Sequence, residues 1–393
     1  MLKRTFTLVV LFAIMISGSI CFANDSETRI AEIKARYNQL KPFYDGETFD
    51  VAPSIVAPYA AGTVNREYLN DGLAFLNFQR FIAGIPDDVI LSDEWVETSQ
   101  KGAVLLATNN ELNHCPTQPV DMDKDFYEEG RRSTRSSNIS RRSSSNGISY
   151  SPIRDALMGQ ADDSSSNSNL ECVGHRRWLL NQDMLYTAFG VADNGNSRFT
   201  TVYAHDTSRP ASQDPLEYIL WPAAPAFPKE FAKPTIPWSI QTCLYDYALP
   251  ELEQVTVTLT RREDGKVWVF NNSYNTPSET GRYFNIDKAS YGGVEHPTCI
   301  IFRPEGITEY SGIYDVKVSG LTNREGTVSK DIEYSVEFFE LDNELNELPG
   351  SSNPGEPENG GSSSGGGGSS GGCNAGLGAL ALLLFVPLFF RKK

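Results

Sequence analysis

Two short stretches hold the residues best suited to chemistry. Residues 109–116 read NNELNHCP and residues 171–181 read ECVGHRRWLLN, so His114 and His175 each stand close to a cysteine. The chain has four histidines in all, which leaves few residues for a site built on imidazole. Imidazole titrates near neutrality and ligates divalent metals, so this pair suits a metal centre or general acid–base work. Either use needs company. A catalytic zinc normally takes three protein ligands, and a Ser-His-Asp arrangement needs a nucleophile on a sharp turn and an orienting acid. Ser136, Ser137 and Ser140 are close in sequence, but no G-x-S-x-G elbow occurs. Cys115 adjoins His114, and adjacent residues rarely hold their side chains in mutual contact. Arg176, beside His175, is suited to an anionic ligand or to an internal ion pair.

The elements that would position these groups can be read from period. Over 65–86, Leu69, Leu73 and Leu76 fall on one helical face, widened by Phe75, Phe78 and Ile82, and Gly84-Ile85-Pro86 ends the helix. A second helix starts at the N-cap Ser92, with Asp93 and Glu94 at the positive end of its dipole. Its stripe of Trp95, Ser99, Gly102 and Leu106 is small in the middle, so something packs closely there, and His114 lies just past its end. Arg131, Arg132, Arg135, Arg141 and Arg142 stand among serines and read as a solvated loop that offsets an acidic surface. After Pro237 the period becomes two. Val255, Val257 and Leu259 alternate with threonines, Asp264-Gly265 makes a hairpin, and strands follow around Tyr314–Val318 and Ile332–Phe338. The proline-rich stretch 221–238 reads as a stiff connection.

The two ends speak for export. Lys3 and Arg4 precede an apolar run to Ile20, and Cys21-Phe22-Ala23 offers small residues for cleavage, so 1–23 reads as a signal peptide. Residues 343–372 form a Pro/Gly/Ser linker with almost nothing to bury. Beyond Cys373, the apolar run 375–390 is shorter than the roughly 20 residues of a full membrane span. Arg391, Lys392 and Lys393 would hold that tip in the cytoplasm. The formal net charge is −16, which repels polyanions, and no nucleic-acid partner is expected. Cys115, Cys172, Cys243 and Cys299 form an even set in an oxidising compartment. Three pairings are possible; Cys115–Cys172 with Cys243–Cys299 keeps each bridge within one domain, and the first would draw His114 and His175 together.

Taken in order, LNFQRFIAGIP, ELNHCP, SSNIS, VGHRRWLLN and TAFGV resemble the CAP superfamily of cysteine-rich secretory, antigen-five and pathogenesis-related proteins. More narrowly they resemble a bacterial branch with GHRRW in place of the eukaryotic histidine motif. The tail, with GGCNAG and a basic end, resembles a C-terminal sorting signal of the Synergistetes type, which implies retention at the envelope and processing near Cys373. The resemblance covers roughly 65–325. It implies an α+β chain: an N-terminal segment (24–64), a CAP-like α-β-α sandwich (65–210), a Pro-rich connection (211–237), an all-β immunoglobulin-like sandwich (238–342), the linker, and a sorting or transmembrane segment (373–393).

Many members of that family have a cleft of two histidines and two glutamates that in some holds a divalent metal. The histidines carry over to His114 and His175 as tentative metal ligands. The first glutamate position falls on Asn138 and the second on Gly159 or Gln160, so both acids are replaced. Glu111, Asp155, Asp162, Asp163 and Glu171 are the nearby acids that could substitute. The expectation is therefore a polar cleft of His114, Asn138, His175 and Arg176 that binds an envelope or extracellular ligand, with no assured cofactor, anchored through the C-terminal segment. A hydrolase of peptide, nucleic acid or envelope polymer using the two histidines is the alternative.

Overall fold

The computed structural model describes residues 25–144, 151–210, 212, 216–278, 281–289 and 296–341. The stretches expected to be a signal peptide, a linker and a sorting segment, with Cys373, lie outside the described residues.

Helix α1 (25–39) buries Ile33 and Tyr37 in the main core. A small ribbon of β1 (Phe49–Val51) and β2 (Thr63–Val64) leads to α2 (Arg66–Ile82). Asn65 caps that helix, its side chain accepting from the backbone N–H of Glu67 and Tyr68. After β3 (Ile90–Leu91), helix α3 (Asp93–Asn109) starts where Ser92 accepts from the Trp95 N–H. Helix α4 (Lys124–Ser136) and strand β4 (Ser137–Ser143) follow directly. The arginine-rich stretch expected as a loop is therefore helix and strand: Arg132 lies over the Trp95 ring and Arg142 pairs with Asp155. Three helices come next, α5 (Ile153–Asp162), α6 (Asn167–Cys172) and α7 (Gly174–Leu179), then β5 (Tyr186–Thr187), β6 (Phe189–Asn194) and β7 (Ser197–Tyr203).

Strands β4, β7 and β6 form an antiparallel sheet in that order, and period-two alternation gives it two apolar faces. Ile139, Ala192 and Phe199 join Ala103, Val104, Leu106 and Ala107 of α3 on one side. Phe189, Val191 and Val202 join the cluster containing Phe75 and Leu76 of α2 and Leu157 of α5 on the other. The small stripe foreseen on α3 is a close approach. A Cβ on Gly102 would stand 2.3 Å from the Ser133 Oγ of α4, and one on Gly190 would stand 2.1 Å from the Ser99 carbonyl oxygen.

The second half has two sheets. Strands β8 (Tyr218–Trp221), β10 (Trp238–Thr242), β13 (Tyr283–Asp287) and β14 (Thr298–Arg303) form one, ordered β13-β14-β10-β8. The other is ordered β12-β11-β15-β16-β9, from β9 (Ala226–Pro228), β11 (Thr256–Arg261), β12 (Val267–Phe270), β15 (Gly312–Ser319) and β16 (Ile332–Phe339). Residues 211–237, expected as a connection, thus supply β8 and β9, an edge strand to each sheet. Trp238, Phe270, Phe302, Tyr314 and Phe338 are buried in the core of this half, with Trp238 Nε1 donating to the Tyr310 hydroxyl at 2.9 Å. Every residue of β10 and β14 is buried, because one face meets this core and helices of the first half cover the other. One apolar cluster runs from α1 and α2 through to β16. The described chain is α+β.

The expected disulfides do not form. Cys115 is exposed, Cys243 and Cys299 are buried, and none of the three is in a disulfide. Cys299 pairs in register with Gln241, which leaves Cys243 as its diagonal neighbour. Diagonal cross-strand neighbours stand about 7–8 Å apart, beyond disulfide reach without backbone movement. Cys172 ends α6, which packs on β13 and β14.

Candidate functional site

Helix α7 is only six residues long, and four side chains fasten it from different directions. From α2, the buried Arg80 donates to the carbonyls of Leu179 and Asn181 at 2.8 and 2.9 Å, which satisfies the C-terminal end of α7. From β4, the Asn138 amide donates to the His175 carbonyl at 2.9 Å. Arg176 and Arg177 are both buried, whereas an extended segment would have turned one of them outward. Arg176 reaches Pro237 O and Ser239 Oγ at 2.7 and 3.0 Å. Arg177 pairs with Asp287 and donates to Pro297 O. Arg176 is thus a structural clamp, its buried guanidinium donating to the protein's own acceptors.

His175 Nδ1 lies 2.8 Å from Asp163 Oδ1, and both side chains are buried. Burial opposes charge on this imidazole, but the Asp163 charge and hydrogen bond outweigh it and hold the pKa above the ordinary value. The second Asp163 oxygen accepts the Arg176 backbone N–H at 3.2 Å. Asp163, one of the nearby acids, therefore supplies the carboxylate that Asn138 and Gln160 do not. Two residues at this dyad adopt the left-handed region: Asp163 itself at φ 49° and Val173, two residues before His175, at φ 43°. For a β-branched residue this is a genuine outlier that surrounding structure must enforce. Val173 is fully buried with Leu170, Tyr283, Cys299 and Ile301, so the second half of the molecule enforces it.

His114 stands just beyond α3, and its Nδ1 bonds the Thr134 carbonyl of α4 at 2.6 Å. In return the Thr134 hydroxyl donates to the His114 carbonyl at 3.0 Å. Since a carbonyl only accepts, Nδ1 carries the proton and Nε2 of the neutral ring presents a lone pair. Burial, and then the charge at His175, lower its pKa, against the Thr134 hydrogen bond. The two imidazoles therefore lie within each other's field and are biased in opposite directions.

A third imidazole shares this field, and nothing in the sequence marked it. His205 follows β7, donates its backbone N–H to the Ser136 carbonyl at 3.2 Å, and stacks on Trp178 of α7 at 3.8 Å. Burial, and then the charge at His114, lower its pKa to about 4. Stability follows with a definite sign. As pH falls from the ordinary 6.5 toward about 4, the unfolded chain takes up a proton that the folded ring refuses, so this contribution to stability is lost. His205→Gln removes it. Urea unfolding at several pH values is expected to show that wild type loses more stability than the variant across this window. Parallel curves would contradict the assignment.

The remaining candidates disperse. Glu111 and Glu171 are exposed, Asp155 pairs with Arg142, and Asp162 faces Lys233 at 3.5 Å. Gly159 is exposed, whereas Gln160 is buried with both amide atoms unpartnered. Among the described residues, no group of three or more His, Cys, Asp or Glu side chains is placed to hold a metal ion. With Nδ1 of His114 and His175 engaged, each ring keeps only Nε2 for a ligand, which is too few donors for zinc. A small pocket between Trp178, Ile219, Gln241 and His296 contains neither His114 nor His175. Compared with known proteins, the chain matches no family model, no curated protein and no solved structure. Among the described residues, no helix is long and apolar enough to cross a membrane.

Proposed function

We propose that this chain is an exported, envelope-anchored protein of the CAP type. Its helix-rich half is a CAP-like α-β-α sandwich, its second half an immunoglobulin-like sandwich, and residues 343–393 tether it to the envelope. The head presents the His114–His175 cleft to a polar ligand and binds it without turnover. One observation carries this reading: the Nδ1 atoms of both rings are held by Thr134 and Asp163, which leaves both Nε2 atoms for a ligand. His114, protonated on Nδ1 by its bond to the Thr134 carbonyl, offers a lone pair on Nε2, and His175 offers an N–H there below its raised pKa. Such a pair complements a group that both donates and accepts, as sugar hydroxyls and amides do.

The Asp163–His175 contact favours a second reading, hydrolysis, because an imidazole oriented by a buried carboxylate is the acid–base half of many hydrolytic sites. Co-sedimentation with isolated peptidoglycan separates the two. Binding alone predicts that wild-type protein pellets with the polymer, that His175→Ala does not, and that no soluble fragments appear. Fragments that vanish with His175→Ala would establish the hydrolase, and wild-type protein that stays in solution without releasing fragments would overturn both.

A further inference from the structure

We infer that Arg176 is the positioning residue of the Asp163–His175 dyad and that it acts from the β-rich half of the molecule. This rests on the reading that the dyad is the working centre of the cleft. The guanidinium is fully buried and divides its donors between two structures. Towards α5, Nε donates to the Ala161 carbonyl at 2.6 Å and Nη2 to the Asp162 carbonyl at 3.0 Å. These are the two carbonyls immediately before Asp163. Towards the sheet, Nη1 donates to Pro237 O and Ser239 Oγ at the start of β10. The backbone N–H of Arg176 itself binds Asp163 Oδ2.

A single residue thus grips the chain on the N-terminal side of the left-handed Asp163, binds its carboxylate, and fixes all of this to a fully buried strand. Asp163 at φ 49° would otherwise relax towards the ordinary helical region and carry its carboxylate away from His175. The planar fork is essential to this. Lysine keeps the charge but has one nitrogen, which cannot serve four acceptors in two directions.

Arg177 provides the internal control. It is buried on the same helix and also reaches the second half, through Asp287 and Pro297, but it has no hydrogen bond to residues 161–163 among its described contacts. The readout is the downfield Nδ1–H proton resonance of His175 in the NMR spectrum of the full chain, assigned by its loss in His175→Gln. In Arg176→Lys we expect this proton to exchange with water about tenfold faster or more and to move upfield. Arg177→Lys, with a comparable loss of thermal stability, is expected to leave it unchanged. Ser239→Ala removes one of the four acceptors and is expected to give a smaller change in the same direction, which keeps the inference testable should Arg176→Lys fail to fold. A resonance unmoved in Arg176→Lys, or in Ser239→Ala where that is the variant that folds, would overturn it, as would an equal shift in Arg177→Lys. Peptidoglycan binding is not the readout here, so failure of the proposed function leaves a distinct signature: an intact His175 resonance in a protein that binds nothing.

Discussion

Gly190→Ala is expected to destabilise the protein by on the order of 3 kcal/mol or more, or to prevent folding outright. The added methyl would fall 2.1 Å from the Ser99 carbonyl oxygen and 2.3 Å from its carbonyl carbon. Both belong to the backbone of α3, so no side-chain rotation relieves the clash, and strand β6 and helix α3 would have to separate. That contact also sets the site, because α3 delivers the chain to His114 and the same sheet carries Asn138. The natural comparison is Gly159→Ala on α5, where an added methyl meets nothing within 4 Å. In a helix that change is expected to stabilise by about 0.5–1 kcal/mol. Urea midpoints of opposite sign would confirm the pair, and similar midpoints for the two variants would show that β6 does not press on α3 as described.

The second large effect is expected from Asp163→Asn. The substitution keeps the shape and one acceptor but removes the charge that overcomes the burial of His175. The His175 pKa is then expected to fall below the ordinary imidazole value, reversing its sign. Stability should drop by about 2–3 kcal/mol, the range for a hydrogen bond to a charged group. The pH dependence is specific. Because the folded pKa of His175 is raised, its contribution is fully present below the ordinary value and is lost as pH rises through the folded one. The difference between wild type and variant should therefore be greatest in mildly acidic solution and shrink as pH rises. A difference that grows with pH would refute the direction of the His175 shift.

The legible parts of this molecule were those with a one-sided environment. Helix α2 announced itself because Leu69, Phe75, Leu76 and Ile82 face the core while charged residues flank them. Strands β11 and β15 alternate buried residues with partly or fully exposed ones, so their period survives in sequence. Strands β8 and β9 are almost wholly buried and have no polar contrast to read, which is why 211–237 looked like a connection. Helices α6 and α7 have six residues each, too short for a helical stripe, so the burial of both Arg176 and Arg177 was hidden.

At the site, the histidine pair was visible from residue type and neighbouring motif. Asp163 was visible only as one acid among several, since its selection depends on a left-handed turn at the end of α5. His205 left no trace, because its stacking on Trp178 joins two segments through tertiary structure alone. The cysteines misled for a related reason: an even number in a chain expected to be exported suggests bridges, but register decides whether two sulfurs can meet.

The most direct test of the site is to titrate the imidazole rings of wild-type protein by NMR, with His114 and His175 assigned through their glutamine variants. His175 is expected to titrate above the ordinary imidazole range and His114 below it, with His114 moving up when His175 is replaced. Two rings titrating independently at ordinary values would mean that no shared, polarised cleft exists at these positions.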